Sequence, residues 1–271
     1  MSDAIVVLTA TRNRPRLLAE RWRPSLLEQS RPPDRVLVVD DSDARSFDAN
    51  SRVIDPLPAH GVSVEIVRNE PTVGLAASWN RGIHRLVDLY GDCWLATLDD
   101  DDRWLPAHLC TCLAAAQATG ATAAVPGITV IRDGRKIPLP IPRSLGVQAF
   151  LRGNPGWQGS TIFIRLRHLL DVGGFDEAMP STIDRDMAIR LLLRGEVRWA
   201  FTRARTVEYY VDAHVGALST PGSHSKAAGL RMFYASYAPL MSDSDRRAFF
   251  ARARKLFGVE RDRIEGSDRL A

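Results

Sequence analysis

The strongest constraint on this chain is a set of four short apolar segments in its first hundred residues. They are Ile5–Thr9, Arg35–Val39, Val62–Arg68 and Cys93–Leu98. Ile5–Thr9 is a continuous apolar run, as a strand buried on both faces requires. Helical spacing separates them, over Pro15–Glu28, Ala44–Leu57 and Leu75–Tyr90, and a further helix covers Pro106–Thr119. Arg31-Pro32-Pro33-Asp34 ends the first helix, because proline lacks the amide donor and clashes with the preceding turn. This β-α-β-α-β-α-β order predicts a mostly parallel sheet with helices on both faces. Ligands of such sheets bind at the carboxyl ends of the strands. Two strands end in acidic clusters, Asp40-Asp41 and Asp99-Asp100-Asp101-Asp102. Both clusters are therefore expected on one rim.

The second half is less regular. Ala123–Ile131 and Arg135–Leu139 read as a hairpin around Asp133-Gly134, and Leu145–Arg152 as a short helix. Asn154–Gly159 is a turn-rich loop before a strand at Ser160–Ile164. Helices follow at Leu166–Val172 and Asp184–Arg194, then strands at Val197–Phe201 and Thr206–Val211. The tail, about Lys226–Phe257, reads as one or two helices rich in Arg, Phe and Tyr.

Bulk properties narrow the function. In 271 residues the formal charge is +4, but residues 1–100 carry net −3 and residues 101–271 net +7. No apolar run approaches the roughly 18–20 residues that span a bilayer. Met1-Ser2-Asp3-Ala4 has no basic stretch ahead of the first apolar run, so no secretory signal is expected. Three cysteines, Cys93, Cys110 and Cys112, make no disulfide framework and suit a reducing cytoplasm.

Four consecutive aspartates repel one another, and a divalent cation relieves that repulsion. Mg²⁺ or Mn²⁺ takes one or two carboxylates together with phosphate oxygens. The Asp99-x-Asp101 spacing directs both carboxylates the same way if the segment stays extended. Read alone, the run serves equally well as a solvated acidic turn that caps the next helix.

Several stretches in order carry a family likeness: Thr9-Ala10-Thr11-Arg12-Asn13-Arg14-Pro15, Val38-Val39-Asp40-Asp41-Ser42, Gly74 through Asn80-Arg81-Gly82, Leu98 through Pro106, and Gly173-Gly174-Phe175-Asp176-Glu177 ahead of Asp184-Arg185-Asp186-Met187-Ala188-Ile189-Arg190. Together the sequence resembles the inverting family 2 glycosyltransferases of GT-A fold over roughly residues 4–215. The resemblance implies a GT-A domain over residues 1–215, with a nucleotide-binding half (1–120) and an acceptor half (121–215), then a flexible loop and helical extension (216–271). It implies a nucleotide diphosphate sugar as donor, a UDP-sugar being favoured, and Mn²⁺ or Mg²⁺ as cofactor. Thr9, Thr11, Arg12, Asp40, Asp41 and Asn80 would hold the nucleotide, with Asp100 on the ribose. Asp99 and Asp101 would form the DxD element, with Asp101 the direct metal ligand and His214 joining the metal or diphosphate. Asp184 would be the catalytic base. Trp157, Gln158, Ser160, Asp186 and Arg190 would line the acceptor and sugar site. His224, Lys226 and Arg231 fall in a polar stretch suited to closing over a diphosphate.

Two departures stand out. Ile183 occupies the position before the base where the family usually has Glu, and Trp79 stands where it often has Arg. A nucleotidyltransferase of similar fold is the first alternative, but the loop after strand one has no glycine to cradle a triphosphate. A non-catalytic membrane or nucleic-acid binder built on Arg246–Lys255 is the second. That segment reads more simply as an amphipathic helix packing Phe249, Phe250 and Leu256, with peripheral membrane contact as a minority reading. Nucleic acid is not expected as a partner.

Overall fold

The computed structural model describes residues 3–211 and 222–266. The four expected strands form as β1 (Ile5–Thr11), β2 (Arg35–Asp40), β3 (Val64–Arg68) and β4 (Trp94–Thr97). They lie side by side in the order β3-β2-β1-β4, all parallel. Burial on both faces follows from alternation along each strand. Val6, Leu8, Leu37 and Val39 enter one apolar layer, while Ile5, Val7, Val36 and Val38 enter the opposite one.

Helices close each layer. The helix predicted over Pro15–Glu28 is α1 (Pro15–Leu17) and α2 (Arg23–Leu27), joined by a π-helical turn, Leu18–Trp22. It buries Leu18, Trp22 and Leu26 in the second layer. The helix α3 (Ala44–Ile54) follows β2, and α4 (Leu75–Tyr90) packs Ala76, Trp79, Ile83 and Leu86 into the first layer. Gly82 lets α4 approach β1: a Cβ there would stand 2.3 Å from Leu8 Cδ1.

Beyond β4 the sheet continues through β8 (Phe163–Arg165), β6 (Ala123–Arg132), β9 (Trp199–Tyr210) and β5 (Arg103–Trp104). A hairpin strand, β7 (Arg135–Pro138), pairs with β6. Strands β8, β5 and β7 run antiparallel to their neighbours, while β6 and β9 share the direction of β4. The sheet is mostly parallel, as the sequence predicts. The two strands expected at 197–201 and 206–211 are one bulged strand. Arg203 adopts φ 59° there, and the register against β6 shifts around Gly127. Residues 159–161 form a 3₁₀ turn rather than the start of β8.

The remaining helices are α5 (His108–Thr119), α6 (Val147–Arg152), α7 (Leu166–Asp171), α8 (Ile183–Arg194), α9 (His224–Tyr237), α10 (Asp243–Phe257) and α11 (Arg261–Glu265). The C-terminal helices bury Leu230, Phe233, Phe249 and Ile264 in the first layer with α8. Phe249 is buried in that core and Phe250 packs against it, whereas Leu256 is exposed. No described helix is long and apolar enough to cross a membrane.

Gly82→Ala forces α4 off β1 or displaces Leu8. The expected cost is about 1–3 kcal/mol, read as a lower urea midpoint by far-UV circular dichroism; an unchanged midpoint would contradict this close packing.

Candidate active site

The carboxyl ends of β1, β2 and β4 meet at one rim, as the parallel order requires. The two acidic clusters lie there but do different work. Asp40 is fully buried and accepts from the Ser42 amide (2.9 Å) and Asn50 Nδ2 (2.8 Å), so it fixes the turn into α3. Asp41 accepts from the Val73 amide (2.7 Å), the Gly74 amide (3.0 Å) and Asn69 Nδ2 (2.9 Å), which holds the entry to α4. The exposed Arg12 reaches Asp41 only at 4.0 Å.

The Asp99–Asp102 segment is not extended. The Asp102 amide donates to the Asp99 carbonyl at 3.3 Å, folding the run into a turn. The alternation expected for Asp99-x-Asp101 therefore gives way to a tighter convergence. Asp99, Asp101 and Asp102 each offer a carboxylate oxygen, and these atoms all lie within 4.8 Å of one another.

Four fixtures hold this turn against its own repulsion. Ser160 Oγ donates to Asp102 Oδ2 (2.8 Å) and accepts from the Asp99 amide (3.0 Å). The Tyr210 amide at the end of β9 donates to Asp102 Oδ1 (3.1 Å). Thr11 Oγ1 donates to Asp100 Oδ2 (2.7 Å). Arg14 Nη1 bridges Asp100 (2.8 Å) and Asp101 (2.9 Å). Burial, then repulsion from Asp101, raises the Asp99 and Asp102 carboxyls well above the usual carboxylate range. The same causes push Asp100 up to about 6, against the pull of Arg14 and Thr11. Burial pulls Arg14 down, but Asp100 and Asp101 outweigh it and hold the guanidinium above its ordinary value.

An all-oxygen donor set under mutual repulsion suits a hard divalent ion, Mg²⁺ or Mn²⁺. Asp99 and Asp101 are half-buried and accessible, whereas Asp102 is buried with both oxygens already accepting. His214 lies outside the described residues.

Asp184 is half-buried in the first turn of α8, where the helix dipole favours an anion. Asn154 Nδ2 donates to its Oδ2 at 3.1 Å. Asn154 Oδ1 in turn accepts from the Gly156 (2.9 Å) and Trp157 (3.1 Å) amides, so the turn-rich loop serves to place this amide. Asp184 is close enough to Asp99 for its charge to help raise that carboxyl. Ile183, where the family usually has Glu, is buried in the apolar layer and anchors the helix start.

Other expected residues are placed elsewhere. Thr9 is buried, donating to the Leu98 carbonyl (2.8 Å) and accepting from Trp22 Nε1 (2.7 Å). Asn80 clamps the Gly-Gly-Phe segment: it bonds the Phe175 carbonyl and amide (2.8 and 2.7 Å) and Glu177 (2.8 Å). Trp79 is buried beside Phe175, 6.2 Å between ring centroids. Trp157 is fully buried, edge-on to Trp199 at 5.4 Å, so it packs rather than presenting a face to a sugar. The Gln158 amide donates to Thr161 Oγ1 (2.7 Å) within the 3₁₀ turn. Asp186 and Arg190 bond each other, and Tyr237 donates to Asp186 (2.5 Å). At about 100° per residue, positions 184 and 186 lie roughly 200° apart, which points Asp186 toward α9 and away from Asp184. Arg231 is exposed and donates to the Arg263 carbonyl (3.1 Å); His224 is exposed at the start of α9.

Arg14 and Asn154 join the site without having been singled out, and Asp102, expected only as part of the acidic run, joins it as the third converging carboxylate. Arg14 and Asn154 each sit inside a stretch notable in sequence, but nothing local marks either as a carboxylate partner.

The model of glycosyl transferase family 2 matches residues 6–177. This chain belongs to glycosyltransferase family 2. A search of curated proteins found no match. Among solved structures, residues 1–349 of S. aureus TarS in complex with UDP-GlcNAc align with TM-score 0.67 and 15% identity, covering 95% of this chain and 74% of that one. A longer S. aureus TarS structure gives TM-score 0.65 at 15% identity over 95% of this chain, which spans 44% of it. A mannosyltransferase of Pyrobaculum calidifontis, in complex with GDP-Man and Mn²⁺, aligns with TM-score 0.62 and 18% identity over 92% of this chain and 69% of that one. At these identities the likeness shows the fold, and the fold is GT-A.

Asp100, pushed up to about 6, binds a proton more tightly folded than unfolded. Its contribution to metal-free stability is therefore full below about pH 4 and lost as pH rises through about 6. Melting curves of the parent and Asp100→Asn should show a difference that changes between these limits and is flat above about pH 7. A difference independent of pH would contradict the strained carboxylate cluster.

Proposed function

We propose that this glycosyltransferase is a metal-dependent, inverting enzyme that moves a sugar from a nucleotide diphosphate sugar, a UDP-sugar in the favoured reading, to a nucleophile of its acceptor. The observation that carries this reading is one constellation. A carboxylate, Asp184, is held by Asn154 at a helix N-terminus, within electrostatic reach of an acidic turn built to take a cation.

Residues 1–120 form the nucleotide half in this account. Asp41 and Arg12 lie where the base binds, and Thr11 and Asp100 where the ribose binds. Asp99 and Asp101 would hold the divalent ion, Mn²⁺ or Mg²⁺, and His214 would be a further ligand. When bound, the ion neutralises the charge that develops on the departing diphosphate. Arg14 positions Asp100 and Asp101, and Ser160 ties Asp99 to Asp102. Residues 121–215 form the acceptor half, where Asn154 presents Asp184.

Asp184 takes a proton from the acceptor as its oxygen or nitrogen attacks the anomeric carbon. The bond from that carbon to the diphosphate oxygen breaks on the opposite face. One displacement inverts the centre, without the covalent sugar intermediate of a retaining pair of carboxylates. The enzyme works in the cytoplasm on this reading. Exposed Arg247, Arg254 and Lys255 on α10 offer peripheral contact with an anionic membrane face.

Asp184→Asn keeps the shape and the bond to Asn154 but cannot take a proton. Transfer should fall by about 100- to 10,000-fold while UDP affinity, measured by calorimetry with Mn²⁺, stays near the parent value. Loss of UDP affinity instead would sink the base assignment. Asp101→Ala should remove the metal-dependent part of UDP affinity, and affinity unchanged with and without Mn²⁺ would reject Asp101 as a ligand.

A further inference from the structure

Three basic groups, Arg185, Lys226 and Arg252, lie within electrostatic reach of Asp184, and among the described residues two of them make no hydrogen bond and no ion pair. Arg185 is committed: it donates to the Phe150 carbonyl (3.0 and 2.6 Å) and the Leu151 carbonyl (3.1 Å), and its face rests on Phe233 at 4.1 Å. Lys226, in the first turn of α9, is half-buried with its ammonium 4.3 Å from the Phe257 ring centre. Arg252, on α10, is half-buried against Gly153. A Cβ at Gly153 would stand 3.1 Å from Arg252 Cδ and 3.2 Å from Nε, so the guanidinium needs this glycine. Gly153 immediately precedes Asn154, the residue bonded to Asp184.

Among the described residues, the side chains of Lys226 and Arg252 make no hydrogen bond and no ion pair. Burial lowers Lys226 to about 8, with repulsion from Arg185 and Arg252 adding to it against the pull of Asp184. Burial lowers Arg252 too, opposed by Tyr209 and Asp184. Asp184 is thus the carboxylate that acts on all three cations, in a partly buried place. Partly desolvated charge without a counter-charge is costly, and an arriving anion removes that cost.

We infer that Lys226 and Arg252 form a subsite for an oxyanion carried by the acceptor, next to the nucleophile that Asp184 deprotonates. The assignment rests on the transferase reading above. The acceptor side is favoured over the donor diphosphate by placement. Lys226 and Arg252 come from the C-terminal helices, Arg252 against Gly153 and Lys226 over Phe257 at the end of α10, whereas the acidic turn assigned to the ion and donor is built at the ends of β1 and β4. The acceptor class is then an anionic molecule, with a phosphate or equivalent oxyanion close to the hydroxyl or amine that receives the sugar. The C-terminal extension, joined to the core through Phe233 and Phe249, becomes part of the acceptor site.

The test is a two-step calorimetric titration of the full chain. UDP is added first with Mg²⁺; inorganic phosphate is added once UDP is saturating. The parent should bind UDP and then phosphate. Lys226→Met/Arg252→Gln should bind phosphate about tenfold more weakly or worse with UDP affinity little changed, and Arg252→Lys alone should retain most of the phosphate affinity. Should the double variant fail to fold by circular dichroism, Arg252→Gln alone supplies the comparison. No phosphate binding in the parent, phosphate binding unaffected by these substitutions, or phosphate competing with UDP would each overturn the subsite. Failure of the parent to bind UDP would overturn the proposed UDP-sugar donor instead, so the two failures are distinct.

Discussion

The structure depends on holding four adjacent carboxyl groups together at the end of one strand. Asp99 through Asp102 follow β4 in a single turn, and burial and mutual repulsion push three of them toward protonation. Each compensating group comes from a different part of the chain. Thr11 and Arg14 come from the end of β1, Ser160 from the turn before β8, and the Tyr210 amide from the end of β9. The parallel sheet explains why they can meet: β1, β4, β6 and β9 share one direction, so the ends of β1, β4 and β9 fall on one rim. The antiparallel β8 begins where β4 ends, which brings Gly159 and Ser160 against Asp99.

The same rim carries Asp184 from the opposite half. Asn154 places it, and the loop amides of Gly156 and Trp157 place Asn154. A carboxylate whose orientation is fixed in this way, rather than by an ion pair, suits the base role proposed for it. The C-terminal helices complete the surroundings with Lys226 and Arg252. The basic excess after residue 100 therefore has, in part, a local use beside the acidic first half.

Much of the fold was legible because its signals are local. Strands β1 to β4 and the helices between them follow from short apolar runs and helical spacing, although β3 is only half-buried, and the acidic strand ends were expected on one rim. The bulge of β9 was not legible, since it depends on Arg203 at positive φ and on Gly127 across the sheet. The site was legible where a residue type is costly: adjacent aspartates demand partners, and Asp184 stands in a recognisable stretch. It was less legible where a polar residue can serve either structure or ligand. Thr9, Asp40 and Asn80 are taken up by Trp22, Asn50 and Phe175, partners distant in sequence or otherwise unmarked. Trp157 reads as a stacking platform in a loop, yet it is core because Trp199 lies beside it. Arg14 and Arg252 carried no signal, because nothing local distinguishes them among so many arginines.

The central claim is that the acidic turn and Asp184 face one nucleotide diphosphate sugar site. It is tested most directly by a crystal structure of this chain soaked with UDP and Mn²⁺, with manganese located by its anomalous signal. The account predicts one manganese peak bonded to Asp101 with Asp99 beside it, the diphosphate on that ion, and Asp184 open to the space beyond the terminal phosphate. A manganese peak away from Asp99 and Asp101, or a nucleotide bound with its phosphates turned away from Asp184, would contradict it.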